Sequence, residues 1–185
     1  MRPIIYHVAV TLDGFIAKKD GSTPGFSDEG EHVTDYLNAL KDYDDTIMGR
    51  KTYEYGYQYG LKPGQPAYPH MTHHIFSSKL NFEDPHEQVK VVSEDQLAYI
   101  QDLKETTGSP IYLCGGGKFA GFLLQHRLID EVILKQNPII YGTGISLFGN
   151  TCAHLELKEV CHVTYDNGVS LLHHQVNYID EEVAV

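Results

Sequence analysis

Hydrophobic and polar positions alternate in two rhythms along this chain. Short, nearly continuous apolar runs predict buried strands: "PIIYHVAV" within 3–11, "DTIMG" at 45–49, "HHIFSS" at 73–78, "QVKVV" at 88–92, "PIYLC" at 110–114 and "EVILKQNPIIYG" at 131–142. Between them the apolar residues recur at helical spacing. Val33, Tyr36, Leu37 and Leu40 share one face of a helix that Ser27 is placed to cap. "RKTYEYGY" follows the strand at 45–49, and Ser93 with Gln96 makes a capping box ahead of Leu97, Ile100 and Leu103. Phe119, Phe122 and Leu123 stripe the helix after "PIYLC". "ELKEVCHVTYDNGVSLLHHQVNY" at 156–178 reads as a hairpin with Asn167-Gly168 as its two-residue turn.

Strands alternating with helices predict an α/β fold: a mixed, mostly parallel sheet with helices on both faces, a three-layer sandwich closed by an antiparallel hairpin. No linker interrupts the pattern, so residues 1–180 form a single domain and the acidic end at 181–185 is expected to fray.

Composition narrows the function. A formal charge of −11 argues against a nucleic-acid surface, which needs a basic field. No stretch of 18 apolar residues suits a bilayer, and the first residues enter a strand with no legible signal peptide. Cys114, Cys152 and Cys161 form no CxxC pair, which fits a reducing, cytoplasmic setting. Histidine is abundant, but His70, His73 and His74 lie beside Pro69 and a strand, where helical ligand spacing does not apply; no metal is expected.

The candidate chemistry sits at strand-to-helix junctions. Gly115, Gly117 and Ala120 fit G-x-G-x-x-[GA], glycines that let a backbone approach a phosphate at a helix N-terminus. Lys118 is followed by Phe119, so this is not a P-loop. Gly49, Arg50, Lys51 and Thr52 form a second junction, and Ser77, Ser78 and Lys79 a third. Three such junctions suit one long, phosphorylated ligand laid across strand ends.

The motifs "AVTLDGFIA" at 9–17, "MGRKTYE" at 48–54, "IFSS" at 75–78 and "YLCGGGKFAGFLLQHRLIDEVILKQNPIIYGTG" at 112–144 occur in the order seen in the dihydrofolate reductase superfamily. They most resemble its bacterial branch related to the reductase domain of riboflavin biosynthesis, over roughly residues 3 to 178. The resemblance implies an eight-stranded sheet, NADPH as cofactor, hydride transfer to a pterin-like or pyrimidine-like heterocycle, and pairing into a homodimer. It places Ala9 and Ile16 beside the nicotinamide, with Asp13 in the adjoining turn as a candidate catalytic residue. Gly49, Arg50, Lys51, Thr52, Gly115, Gly116, Gly117, Lys118 and Phe119 would embrace the pyrophosphate, and Ser77, Ser78 and Lys79 would meet the adenosine 2′-phosphate.

Folate reductases organise proton delivery with a carboxylate on the first helix. Glu29, one turn before Val33, is the acid on that helix's inward face and is the second catalytic candidate. Two departures point away from folate: the chain has no Trp, and Gln65 follows Pro63-Gly64 in the segment where the family arginine for folate's glutamate is absent. Tyr53, Tyr55, Tyr57 and Tyr59 crowd the presumed pocket. A 5-amino-6-(5-phosphoribosylamino)uracil reductase and a non-catalytic dinucleotide-binding module stand as alternatives.

Overall fold

A computed structural model describes residues 1–151 and 153–179. The expected frayed tail at 181–185, and Cys152, lie outside the described residues. The chain runs β1 (Ile4–Thr11), β2 (Phe15–Ala17), α1 (Glu31–Ala39), β3 (Asp45–Gly49), α2 (Arg50–Tyr55), β4 (Thr72–Phe76), β5 (Val89–Val92) and α3 (Gln96–Glu105). It continues through β6 (Ile111–Gly115), α4 (Gly117–Gln125), β7 (Glu131–Asn137), β8 (Ile145–Ser146), β9 (Leu155–Thr164) and β10 (Ser170–Tyr178).

Eight strands form one sheet in the order β5-β4-β3-β6-β1-β7-β10-β9, and β2 pairs with β8 in a small second sheet. From β5 to β7 all pairings are parallel, while β10 and β9 close the sheet antiparallel. The side-chain period of two sorts each strand into two layers. Ile4, Tyr6, Leu113 and Val132 pack with Ile100 of α3 and Ala120, Leu123 and Leu124 of α4. Ile5 and Tyr112 pack on the opposite layer with Leu40, Tyr43 and Tyr36, and Met48 and Ile75 pack with Tyr53 of α2. Helices therefore cover both faces, as the sequence predicts. Among the described residues no helix is long and apolar enough to cross a membrane.

Several local expectations need correction. Ser27 does not cap α1. Its amide donates to Asn137 Oδ1 at 2.9 Å and its hydroxyl donates to the Glu29 carbonyl at 3.1 Å, and the helix begins only at Glu31. The buried face also differs from the expected one. His32 and Leu40 are inside, Val33 and Tyr36 are half-buried, and Leu37 is 54% exposed. Glu29 accordingly lies ahead of the helix, exposed to solvent, and not on its inward face. Ser93 is displaced as a cap in the same way, because Asp95 stands at the N-cap of α3 with a positive φ.

β7 stops at Asn137, since Pro138 has no N–H to continue the ladder. The hairpin is present, but its turn is one residue longer than expected. The Gly168 amide donates to Tyr165 O, the Tyr165 amide to Val169 O, and only Gly168 takes a positive φ of 80°. This is a three-residue loop with glycine at the left-handed position, not a two-residue turn.

Candidate active site

The sheet order brings the three predicted junctions side by side. β4, β3, β6 and β1 are consecutive neighbours, and parallel pairing puts their carboxyl ends on one edge. Ser77 to Lys79, Gly49 to Thr52, Gly115 to Phe119 and the turn into β2 follow those ends. Three strand spacings of about 4.8 Å make this rim roughly 14 Å long. Carboxyl-end crevices of this kind are where open α/β sheets bind ligands.

Contacts across the rim are close. A Cβ on Gly116 would stand 3.1 Å from Thr52 Oγ1 and 4.0 Å from Ile16 Cδ1; one on Gly49 would stand 3.6 Å from Phe119 Cβ. Phe119 stacks on Phe76 with ring centroids 4.6 Å apart. The Gly115–Gly116 peptide is cis. Thr52, Ile16 and Gly116 thus form one narrow cradle. The glycine run divides its labour here: a Cβ on Gly117 would collide with the Ser146 carbonyl, and one on Gly121 with Phe148 O and Thr151 Oγ1. Those two glycines let α4 dock on the segment after β8, leaving Gly116 for the cleft.

The charged members of the rim are less uniform. Arg50 Nη1 is held by Glu54 at 2.9 and 3.0 Å, one helical turn away, so Lys51, Lys79 and Lys118 are its exposed cations. Ser77 is buried and its Oγ accepts the amides of Lys79 and Leu80, both at 3.0 Å. That hydroxyl builds the turn that presents Ser78 and Lys79 to solvent. The set fits a phosphorylated dinucleotide: a narrow cradle at Gly116, the N-terminus of α4 with its positive dipole end, and exposed cations along the rim.

Asp13 serves a different purpose. Its carboxylate accepts from Thr11 Oγ1 at 2.5 Å and from the amides of Tyr141 and Gly142 at 3.1 and 2.7 Å. Desolvation pushes the carboxyl up, but these hydrogen bonds outweigh it and hold the group below the usual carboxylate range. An ionised latch between two loops is a poor proton donor.

Beside the rim lies a cavity of about 390 Å³, to which both Ala9 and Thr52 contribute. Its walls are aromatic: Tyr36, Tyr53, Tyr55, Tyr59, Tyr68 and Tyr112. Tyr57 packs edge-on against Tyr53 instead. Polar groups converge on the floor. The hydroxyls of Tyr36 and Tyr112 are 2.8 Å apart, and Tyr68 Oη is 3.9 Å from Cys114 Sγ. Desolvation pushes the Cys114 thiol up. It does the same to the hydroxyls of Tyr36 and Tyr112, to which Cys114 adds in both cases, so all three stay protonated at neutral pH. His7 is held neutral down to about pH 4 by burial, then by the charges of His173 and Lys135. Lys135 is lowered by desolvation, partly offset by Asp28.

His7, Tyr36, Tyr68, Tyr112, Cys114 and Lys135 were not among the sequence candidates. One signal was available: Lys135 interrupts an apolar strand, and a cation inside a buried strand needs a reason. The histidines of "PHMTHH" separate. His70 meets Leu40 O, His73 meets the amides of Ala67 and Tyr68, and His74 bridges Asp45 and Tyr99.

The order of strands, the carboxyl-end rim and the adjoining cavity define a dihydrofolate-reductase-like domain. Comparison with known proteins agrees and is more specific. The family model described as the RibD C-terminal domain matches residues 2–171, and the chain belongs to that family. It is 34% identical to the uncharacterized protein YwjB of Bacillus subtilis (strain 168) over 161 residues, 85% of this chain and 88% of that one. Among solved structures, it is similar to a Shewanella sp. PV-4 protein that carries a riboflavin-biosynthesis designation. That match has a TM-score of 0.75 at 22% identity and covers 96% of this chain and 99% of the other. The dihydrofolate reductase of Enterococcus faecalis, solved with NADP(H), shares the fold at a TM-score of 0.64 and 16% identity, covering 96% and 97%.

Proposed function

We propose that the protein is an NADPH-dependent reductase acting on a planar heterocycle of pterin or pyrimidine type. One observation carries this reading: Thr52, which belongs to the dinucleotide-sized rim, also lines the tyrosine-walled cavity, so a ligand on the rim would end at the cavity's mouth. The nicotinamide, when bound, supplies a hydride to a C=N or C=O carbon. The chain's own residues hold and orient. The Gly116–Thr52–Ile16 cradle would seat the pyrophosphate where it leads to the nicotinamide, and the tyrosines would stack on the substrate. Glu29 is not retained as proton source, being exposed ahead of α1, nor is Asp13. The protonated hydroxyls of Tyr36 and Tyr112 take that place.

Cofactor choice follows from the Ser77–Lys79 turn. A 2′-phosphate would satisfy the exposed Ser78 hydroxyl and the Lys79 ammonium, and charge-assisted hydrogen bonds are worth roughly 1.5–3 kcal/mol. Lys79→Ala is therefore expected to weaken NADPH binding about tenfold and leave NADH nearly unchanged, as read by calorimetric titration. Equal losses for both cofactors would remove the phosphate site from this turn.

The same reading includes a homodimer in the cytoplasm. β9 is an edge strand whose Leu157, Val160 and Val163 are 48%, 52% and 38% exposed, and uncovered apolar edges invite pairing. Sedimentation velocity at micromolar concentration is expected to give a dimer, and a monomer there would refute the pairing.

A further inference from the structure

A thiol and an unpartnered imidazole meet in the cavity wall. β1 and β6 pair as far as Tyr6 with Leu113, so the residues that follow, His7 and Cys114, turn to the same face of neighbouring strands. Both line the cavity. The ladder from β6 to β3 steps from Leu113 to Gly115 and passes over Cys114; such irregularities re-aim a side chain. The Cys114 thiol meets the Tyr68 hydroxyl at 3.9 Å.

His7 is the group that lacks something. Its side chain is 3% exposed, its Nδ1 has no partner, and among the described residues its Nε2 makes no hydrogen bond either. Buried polar groups normally find a partner. A neutral imidazole carries one N–H donor, and here an oxygen atom of a ligand would satisfy it. The aromatic walls favour a flat molecule. The thiol is protonated at neutral pH, so a reagent must be held against it before it reacts, and such holding raises effective molarity.

We propose that Cys114 is a covalent modification site: a planar α,β-unsaturated carbonyl compound enters the cavity, its oxygen is held by the His7 N–H, and the thiol captures it. The sulfur bonds to the β-carbon as the C=C π bond breaks. That electron pair moves to the carbonyl oxygen as an enolate, which donors at that oxygen stabilise, and the thiol proton ends on the α-carbon. No oxidant, reductant or further reactant is consumed. The site goes beyond the reductase reading and does not depend on it, since the occupant need not be reduced.

N-Phenylmaleimide is the probe, and the exposed Cys161 on β9 is the internal control. Trypsin separates the two thiols by cutting after Lys118 and Lys158, so mass spectrometry reads both rates in one sample. The Cys114 rate is expected to saturate as the reagent is raised, while the Cys161 rate stays proportional to it. N-Phenylsuccinimide keeps the carbonyls but has no C=C to attack, and it should protect Cys114 and leave Cys161 unchanged. His7→Phe, which removes one hydrogen bond, should lower the Cys114 second-order rate constant about tenfold. His7→Gln keeps an N–H donor and should restore most of it. No Cys114 adduct, a Cys114 rate strictly proportional to reagent, or no protection by the succinimide would each overturn the proposal. So would a His7→Phe variant that reacts as wild type does; where that variant does not fold, protection of the wild-type protein decides.

Discussion

Gly117→Val is expected to lower the unfolding free energy by roughly 3 kcal/mol or more, the upper end of what overpacking costs. A Cβ at this position would lie within 3.0 Å of the Ser146 carbonyl and 3.1 Å from the Gly149 amide nitrogen. Both are backbone atoms, so no rotamer change relieves the clash. The segment from β8 to Thr151 would have to leave α4. Ser146 and Leu147 belong to that segment, and the Tyr6 hydroxyl donates to Leu147 O at 3.1 Å, so the loss should spread to the central strand. Urea unfolding followed by circular dichroism measures it. A midpoint equal to wild type would show that Gly117 is free to serve the ligand instead.

Acid is expected to weaken the fold in a window set by two buried histidines. His73 is fully buried. Its Nδ1–H donates to Met71 O at 3.1 Å, and Nε2 accepts the amides of Ala67 and Tyr68, both at 3.1 Å. A protonated ring cannot accept those amides. Burial, before any other cause, lowers His73 to about 4, and the same holds for His7. Both folded values lie below the unfolded value near 6.5.

The stability these neutral rings contribute is therefore complete above about pH 6.5 and drains as pH falls toward 4. With 1.36 kcal/mol per unit, each group accounts for about 3 kcal/mol over that interval. Asp45 is distinct. Desolvation pushes it up, but His74 and Arg2 outweigh this and lower it, so its contribution is lost only below the usual carboxylate range. Urea midpoints between pH 7 and pH 4 should fall steeply, and His73→Gln, which keeps an acceptor but cannot titrate, should remove about half of the slope. Identical midpoints at pH 7 and pH 4.5 would contradict the assignment. Because Ala67 and Tyr68 also wall the cavity, the same titration should loosen the cavity first.

The alternation of strands and helices was legible because each buried strand is a local apolar run. The boundaries of α1 were not, because Ser27 is claimed by Asn137 and Lys135, residues over a hundred positions away. No local rule reads such a contact, and the Glu29 assignment failed with it. The rim was legible because each junction is a contiguous motif. The cavity was not: His7, Tyr36, Cys114 and Lys135 come from β1, α1, β6 and β7. They meet only through sheet order and register, where a slip of one residue would turn Lys135 to the other face.

β1 sits between β6 and β7, pairing Tyr6 with Leu113 on one side and with Val132 on the other. It is thus made long before either neighbour exists. At about 5–20 residues per second, the ribosome needs roughly 5–20 s to extend the chain from Tyr6 to Leu113. Through that interval an apolar strand with two unpaired edges has nothing of its own sheet to join. Closing so long a loop also makes the central pairing a high-contact-order event. Within the eight-stranded sheet, the strand that lines the candidate site is therefore the one that waits longest for a partner during synthesis.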